Sequence, residues 1–314
     1  MRYNVRSMKG RDLLTLSNFT REEIKEILKL ASEMKYLLKS GKYVIPYLNG
    51  KSIFLLFQKP STRTRLSFEV AIHQLGGFPI YINWNELQII RGESLEDTVR
   101  AINAYCDAIV ARVYKHSDLE TIADISRIPV INALSDLAHP CQALADCLTI
   151  IEKKGKIEDI NVVFIGDGNN NVCRSLSEAV LKLGGNMIIV SPKKYQIDPS
   201  YAEFIKKNAY KNSSLILTDN PIEGVKEADV IYTDVWISMG QESESEERMR
   251  EFKKYQVNSE LLSFAPNDVI IMHCLPAHRG LEITDDVIDG KNSVVWDQAE
   301  NRLHVQKAIL TLLV

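Results

Sequence analysis

The chain has 314 residues, 45% hydrophobic and 25% charged, which is the composition of an ordinary globular protein of about two domains. Lysine plus arginine (38) against aspartate plus glutamate (41) leaves a net charge of −3 and a pI near 6.1, without the general basic excess that non-specific nucleic-acid binding requires. Five cysteines (Cys106, Cys141, Cys147, Cys173 and Cys274) with no C-x-x-C argue against a disulfide framework and zinc-ribbon spacing, and the apolar runs of four or five residues fall far short of the ~20 that span a bilayer.

The first eleven residues carry Arg2, Arg6, Lys9 and Arg11 without an acid, but they lack an apolar segment and read as the start of mature protein. Thr20 with Glu23 is a capping signature, and it opens a helix whose stripe of Ile24, Ile27, Leu28, Ala31, Met34 and Leu38 ends near Gly41. Ser94 with Asp97 and Ser117 with Glu120 repeat the signature. Between the helices lie β-rich runs at about 53–57, 78–82, 108–113 and 129–132, then at 161–165, 187–190, 214–217, 229–233, 268–272 and 293–296. The stretch 140–154, with Pro140 at its start and Gly155 after its end, reads as a helix joining two halves, and a last helix covers about 298–313. The acidic stretch from Gln241 reads as a solvated loop and helix start.

Alternating strands and helices predict an α/β protein of two domains, each a parallel β-sheet flanked by helices. One domain is expected over 1–150, closed by the C-terminal helix at about 298–314, and the other over 151–297. Ligands of open α/β sheets sit beyond the carboxyl ends of the strands, so chemistry is expected in the loops 58–64, 83–93, 166–171, 234–240 and 273–279.

In FLLFQKPSTRTRLSFE a buried strand runs into a helix near Ser61. Backbone N–H groups, the hydroxyls of Ser61, Thr62 and Thr64 and the guanidinium of Arg63 converge there, which is how a phosphate is held without a metal; an ordinary cap with solvated arginines is the bland alternative. Arg65 lies about 200° round the helix from Arg63, so it is expected in a structural or intersubunit contact. In SDLAHPCQALAD, His139 and Gln142 at a helix start can donate to a carbonyl oxygen that gains charge, although a capped helix-end histidine has the same pattern. Arg112 ends the strand AIVAR. In IIMHCLPAHRG, the residues His273, Cys274 and His278 lack a fourth metal ligand, and Cys274 lacks an identifiable base to make it a nucleophile. FIGDGNNN breaks the dinucleotide fingerprint at Asn171, where a third glycine belongs, and its asparagines suit an amino-acid carboxylate or ammonium. Asp234 in TDVWISMG is a candidate cation partner or a simple cap.

Five motifs in order, FQKPSTRTRLSFE, HPCQ, GDGNNN, DVWISMG and HCLPAHRG, resemble those of the ornithine carbamoyltransferases of the aspartate/ornithine carbamoyltransferase family, over nearly the whole chain. The resemblance implies transfer of a carbamoyl group from carbamoyl phosphate to the δ-amine of L-ornithine, giving L-citrulline and phosphate, in arginine biosynthesis or the reverse catabolic route. It implies a site in the cleft between the domains, in which Ser61, Thr62, Arg63, Thr64 and Arg112 bind the phosphate and His139, Gln142 and Arg302 address the carbamoyl end. Gln88 matches a glutamine given by a neighbouring subunit, implying a homotrimer or a multiple of trimers. Asn171, or its neighbour Asn170 because the GDGNNN loop is one residue longer than the usual GDGNN form, with Asp234, Ser238 and Met239 match the ornithine positions, and Cys274 with Leu275 those beside the carbamoyl group and the reacting amine. Arg112, His139, Asp234 and Cys274 are thereby the catalytic candidates.

Positioning and fixed donors suffice for this reaction, so no cofactor or metal is expected. The charge balance and the short apolar runs speak against nucleic acid and membrane, and the cysteine pattern makes the reducing cytoplasm the expected location. Two other readings compete: a sibling transferase acting on putrescine or another amine, and a binding protein that keeps the fold without turnover.

Overall fold

The computed structural model describes residues 8–237 and 242–314. The chain divides into two compact units, Met1–Leu148 with Asn301–Val314, and Thr149–Glu300.

In the first unit, α1 (Arg21–Lys39), β1 (Ser52–Phe57), α2 (Thr62–Gln74), β2 (Phe78–Asn83), α3 (Leu95–Tyr105), β3 (Ala108–Arg112), α4 (His116–Ile125), β4 (Val130–Leu134) and most of α5 (Pro140–Lys154) follow in order. The four strands are parallel, in the order β2-β1-β3-β4. Strands covered by helices on both faces have no wet side, which is why β1 reads SIFLLF and is buried from Ile53 to Phe57. Phe54, Leu56, Val99, Ile109, Leu119 and Val130 form a core here.

In the second unit come β5 (Asn161–Ile165), α6 (Asn171–Leu183), β6 (Asn186–Val190), α7 (Pro199–Lys207), β7 (Leu215–Thr218), α8 (Pro221–Val225), β8 (Val230–Thr233), α9 (Ser245–Phe252), the single turns α10 (Ser259–Leu262) and α11 (Asp285–Ile288) on either side of β9 (Ile270–His273), and the start of α12 (Val295–Leu313). These strands too are all parallel, in the order β7-β6-β5-β8-β9. Val163, Ile165, Trp236, Phe252, Tyr255 and Ile271 lie in its core.

Both sheets reverse their winding direction at one place, between β1 and β3 in the first and between β5 and β8 in the second. Loops leaving such neighbours diverge to opposite faces and open a crevice at their carboxyl ends, where ligands of this architecture bind.

Two local expectations need correction. The run 293–296 is not a strand: Ser293 makes only an isolated bridge with Ile271, and α12 starts at Val295, with Gln298 N–H donating to the Val294 carbonyl. A short apolar run is equally a buried helix start. Ser117 does not cap α4 either, because the helix begins one residue earlier, where Asp136 Oδ1 accepts the His116 N–H at 2.8 Å. The capping box at Thr20 and Glu23 and the Ser94 cap form as the sequence predicts.

Candidate active site

β1 ends at Phe57, and four residues later Ser61 caps α2, its hydroxyl accepting the Thr64 N–H at 3.4 Å. The first turn of α2 carries no acid, so its free N–H groups and the helix dipole face outward unopposed. Thr62 and Arg63 are exposed there, and Thr64 is buried. Arg65 points elsewhere, bonding Glu69 at 2.9 Å and stacking 3.6 Å above the Tyr81 ring, the structural role its position on the helix predicts.

Across the reversal, Arg112 pairs in register with Phe57, and its carbonyl accepts the Gln58 N–H at 2.8 Å. The Gln58 side chain joins the same turn, accepting the Tyr114 N–H at 2.6 Å and donating to Asp118 at 3.1 Å.

His139 precedes α5 and is buried. Burial, then the guanidinium groups of Arg302 and Arg112, hold its imidazole well below the ordinary value, so it is neutral at pH 7. Gln142 lies one turn on and Asp146 one turn further, 1% and 0% exposed. Gln142 Nε2 donates to Asp146 Oδ1 at 2.8 Å, Arg302 Nη1 donates to Gln142 Oε1 at 2.5 Å, and Arg302 Nη2 reaches Thr64 Oγ1 at 3.5 Å. The sequence predicts Gln142 as a donor to substrate; in the structure its amide nitrogen is engaged by Asp146 and its oxygen faces the guanidinium.

Arg302 comes from α12, whose second half belongs to the first unit. Asn301 accepts from Lys35 at 2.7 Å, Lys307 donates to Gln74 at 3.1 Å, and the Leu313 carbonyl accepts the Gly10 N–H. Gln88 lies exposed on a single 3₁₀ turn, Gln88–Arg91.

The second group stands at the other reversal. After β5 the chain turns through Gly166, at φ +136°, and Gly168, where a Cβ would come 2.7 Å from the Ile189 side chain. Asn170 then caps α6 through the Cys173 N–H at 2.7 Å, and its amide donates to Asp234 Oδ2 at 3.2 Å. Asn171 is the first residue of α6 and half-buried. Asp234 follows β8; its Oδ1 accepts the Cys274 thiol at 3.1 Å and the Val235 N–H at 2.8 Å. Burial raises the Asp234 carboxyl above its ordinary value, against the lowering effect of these donors.

Leu275, at φ +58°, adopts a conformation rare for a leucine, and its N–H donates to His273 Nδ1 at 2.9 Å. His273 Nε2 meets Glu282 Oε1 at 3.0 Å, both side chains fully buried. An Nδ1 that accepts an N–H carries no proton, so Nε2 is the donor to Glu282. The His273 N–H is in turn held by Gln298 Oε1 at 3.0 Å. Asp234, His273 and Cys274 offer ligand atoms within 4.8 Å of one another, a grouping that takes in Asp234 rather than the His278 that the sequence suggests. Both ring nitrogens of His273 are nevertheless engaged, as is the thiol proton.

Ser238 and Met239 lie outside the described residues. The stretch after them is not merely solvated. Arg248 on α9 is 5% exposed and bonds Asp167 at 2.7 Å, the Trp236 carbonyl at 3.1 Å and Glu244 at 3.0 Å, with its guanidinium 4.7 Å from the Tyr195 ring. Asp146, Glu282 and Arg248 are not singled out by sequence reasoning. Asp146 leaves a local signal, four residues after Gln142 on the same helical face, and Arg248 leaves one four residues after Glu244.

Residues 11–152 match the carbamoyl-P binding domain of the aspartate/ornithine carbamoyltransferases, and residues 158–313 match their Asp/Orn binding domain. The chain is 54% identical over 310 residues to the ornithine carbamoyltransferase of Thermococcus kodakarensis, covering 98% of this chain and 97% of that one. It is equally 54% identical, with the same coverage, to the anabolic ornithine carbamoyltransferase of Pyrococcus furiosus. Among solved structures, that of ornithine carbamoyltransferase from Pyrococcus furiosus superposes with a TM-score of 0.93 at 53% identity, covering 98% and 97% of the two chains. That from Thermus thermophilus gives 0.86 at 39% identity, covering 96% and 99%.

Proposed function

The chain belongs to the aspartate/ornithine carbamoyltransferase family, and from that premise we propose that its first unit takes carbamoyl phosphate and its second takes L-ornithine. It transfers the carbamoyl group to the δ-amine of ornithine, giving L-citrulline and phosphate. The observation that carries the division of labour is electrostatic: the group at the first reversal sets the guanidinium groups of Arg112 and Arg302 beside a neutral His139, whereas the second centres on the carboxyl of Asp234. The first suits a phosphate dianion, the second an ammonium.

In this reading Ser61, Thr62, Arg63, Thr64 and Arg112 neutralise the phosphate. His139 and Arg302 polarise the carbonyl as the amine attacks; hydrogen-bond donors fixed in advance stabilise the developing charge without reorganising. Gln142 contacts the carbamoyl nitrogen. Asp234 holds the ornithine ammonium, Asn171, Ser238 and Met239 complete that pocket, and Cys274 with the Leu275 backbone flanks the reacting amine and the carbamoyl group. The commitment of Asn170 to its cap and to Asp234 supports giving the substrate contact to Asn171. Attack requires the amine about 3–3.5 Å from the carbamoyl carbon.

We further place the reaction in arginine biosynthesis, a role supported by the relative named anabolic. The enzyme is assigned to the cytoplasm. No helix among the described residues is long and apolar enough to cross a membrane. A homotrimer or a multiple of trimers, with Gln88 completing a neighbour's phosphate site, accounts for a glutamine that stands exposed in the isolated chain.

The test is citrulline formation with carbamoyl phosphate held fixed and ornithine, putrescine, aspartate and acetylornithine compared in parallel. Turnover with ornithine alone is expected. Turnover with putrescine instead overturns the assignment of the second unit, and none at all leaves only a binding protein.

A further inference from the structure

Asp146 is fully buried one turn beyond Gln142, and its Oδ1 accepts the Gln142 amide at 2.8 Å. The opposite end of that amide faces Arg302, which has only donors, so Oε1 is the atom at Arg302 and Nε2 the atom at Asp146. The same guanidinium reaches Thr64 of the cradle. A carbonyl oxygen has two lone pairs, and Arg302 occupies one. Gln142 therefore sets its acceptor end on the side of Arg302 and the phosphate cradle, and its NH₂ end on the side of Asp146.

We propose that Asp146 is a positioning residue which, by fixing the amide of Gln142, makes the pocket select an acyl phosphate bearing N–H over one bearing a methyl group. The proposal rests on the carbamoyl-transfer reading above. Carbamoyl phosphate and acetyl phosphate are close in shape and phosphate charge, so the cradle, Arg112 and Arg302 hold both alike. They differ in one NH₂ group, which only a fixed acceptor reads. A site built to hydrogen-bond an N–H discriminates against the analogue lacking it, because the second lone pair of its buried acceptor then faces a methyl group.

The experiment compares three inhibition or Michaelis constants, for carbamoyl phosphate, acetyl phosphate and inorganic phosphate, in the wild type, Asp146→Leu, Gln142→Glu and the double variant Gln142→Glu with Asp146→Asn. Asp146→Leu removes the acceptor that orients the amide, and the preference for carbamoyl over acetyl phosphate is expected to fall about tenfold or more, the effect of one hydrogen bond, with the phosphate constant unchanged. Gln142→Glu sets two carboxylates against each other and loses carbamoyl phosphate. In the double variant the amide introduced at position 146 can donate to one oxygen of the carboxylate introduced at position 142, while the other oxygen faces Arg302. The preference is then expected to recover about tenfold relative to Gln142→Glu alone.

An Asp146→Leu enzyme with normal phosphate binding and an unchanged preference overturns the proposal, as does a double variant no better than Gln142→Glu. If Asp146→Leu fails to bind phosphate at all, the comparison of Gln142→Glu with the double variant decides. Absence of turnover by the wild type would instead count against the carbamoyl-transfer reading itself.

Discussion

The two units place their polar groups at the same topological position with opposite charge. At the β1/β3 reversal, cations gather around a helix N-terminus that carries no acid, and the neutral histidine among them has lost its affinity for a proton to burial and to the guanidinium groups of Arg302 and Arg112. At the β5/β8 reversal, a buried carboxylate is steadied by an amide, a thiol and a backbone N–H, and burial raises its affinity for a proton. One architecture thus carries a cationic group at one reversal and a buried acid at the other by what the loops bring. Donors on a helix N-terminus need little support, whereas the buried acid depends on partners from several distant loops.

The sharpest way to break the contrast is to remove one charge from each side. Arg112→Ala is expected to cut kcat/KM for carbamoyl phosphate by ~10³ with little change in the ornithine constant, and Asp234→Asn to do the reverse, on the scale of a lost oriented charge at a reacting centre. Steady-state kinetics with each substrate varied at saturating partner checks both. Equal effects on the two substrates would dissolve the division between the units.

Next in size, Arg248→Met leaves Asp167 buried at 5% side-chain exposure without its guanidinium. Losing one member of such a pair typically costs ~3–5 kcal/mol, read as a lowered denaturation midpoint, and loosening of the 166–171 loop raises the ornithine KM more than that of carbamoyl phosphate.

The proton affinities give a smaller effect. His139 and His116 both have folded pKa values below that of an unfolded histidine, about 6.5, each chiefly through burial. Below that pH the unfolded chain binds protons that the folded chain refuses, so stability falls as pH drops through 6.5 toward the folded values. Urea midpoints measured from pH 7.5 to 5 are expected to decline, and a His139→Asn enzyme to decline less steeply. A slope unaffected by the substitution would contradict the buried, cationic surroundings ascribed to His139. Smallest, Thr20→Ala in the capping box of α1 is expected to cost ~1 kcal/mol and to leave both substrate constants alone, a control distant in chemistry from either half-site.

What was legible in the sequence is what short-range physics decides. The cap and helix start at Ser61 to Thr64 fall where expected because a buried strand, a cap and a helix start follow within a few residues. The α5 limits, the capping box and the strands of both sheets fall within a residue or two of where periodicity and caps put them. The failures are equally physical. An apolar run at 293–296 fitted strand or helix, and the start of α4 is set by Asp136, a residue from another loop. Arg248, in the acidic stretch after Gln241, is buried because Asp167, some eighty positions earlier, waits for it.

By itself, then, the sequence determined the two layered α/β sheets and the strand, cap and helix start around Ser61 to Thr64, since each depends on contacts within a turn or an alternation of apolar residues. Only the tertiary structure decided that Arg302 meets Gln142 from 160 positions away, that Asn170 reaches Asp234, and that the Gln142 amide sets its oxygen at Arg302 and its nitrogen at Asp146. Those choices follow from the requirement that buried polar groups find partners, and the partners are brought together only when the sheets and helices have packed.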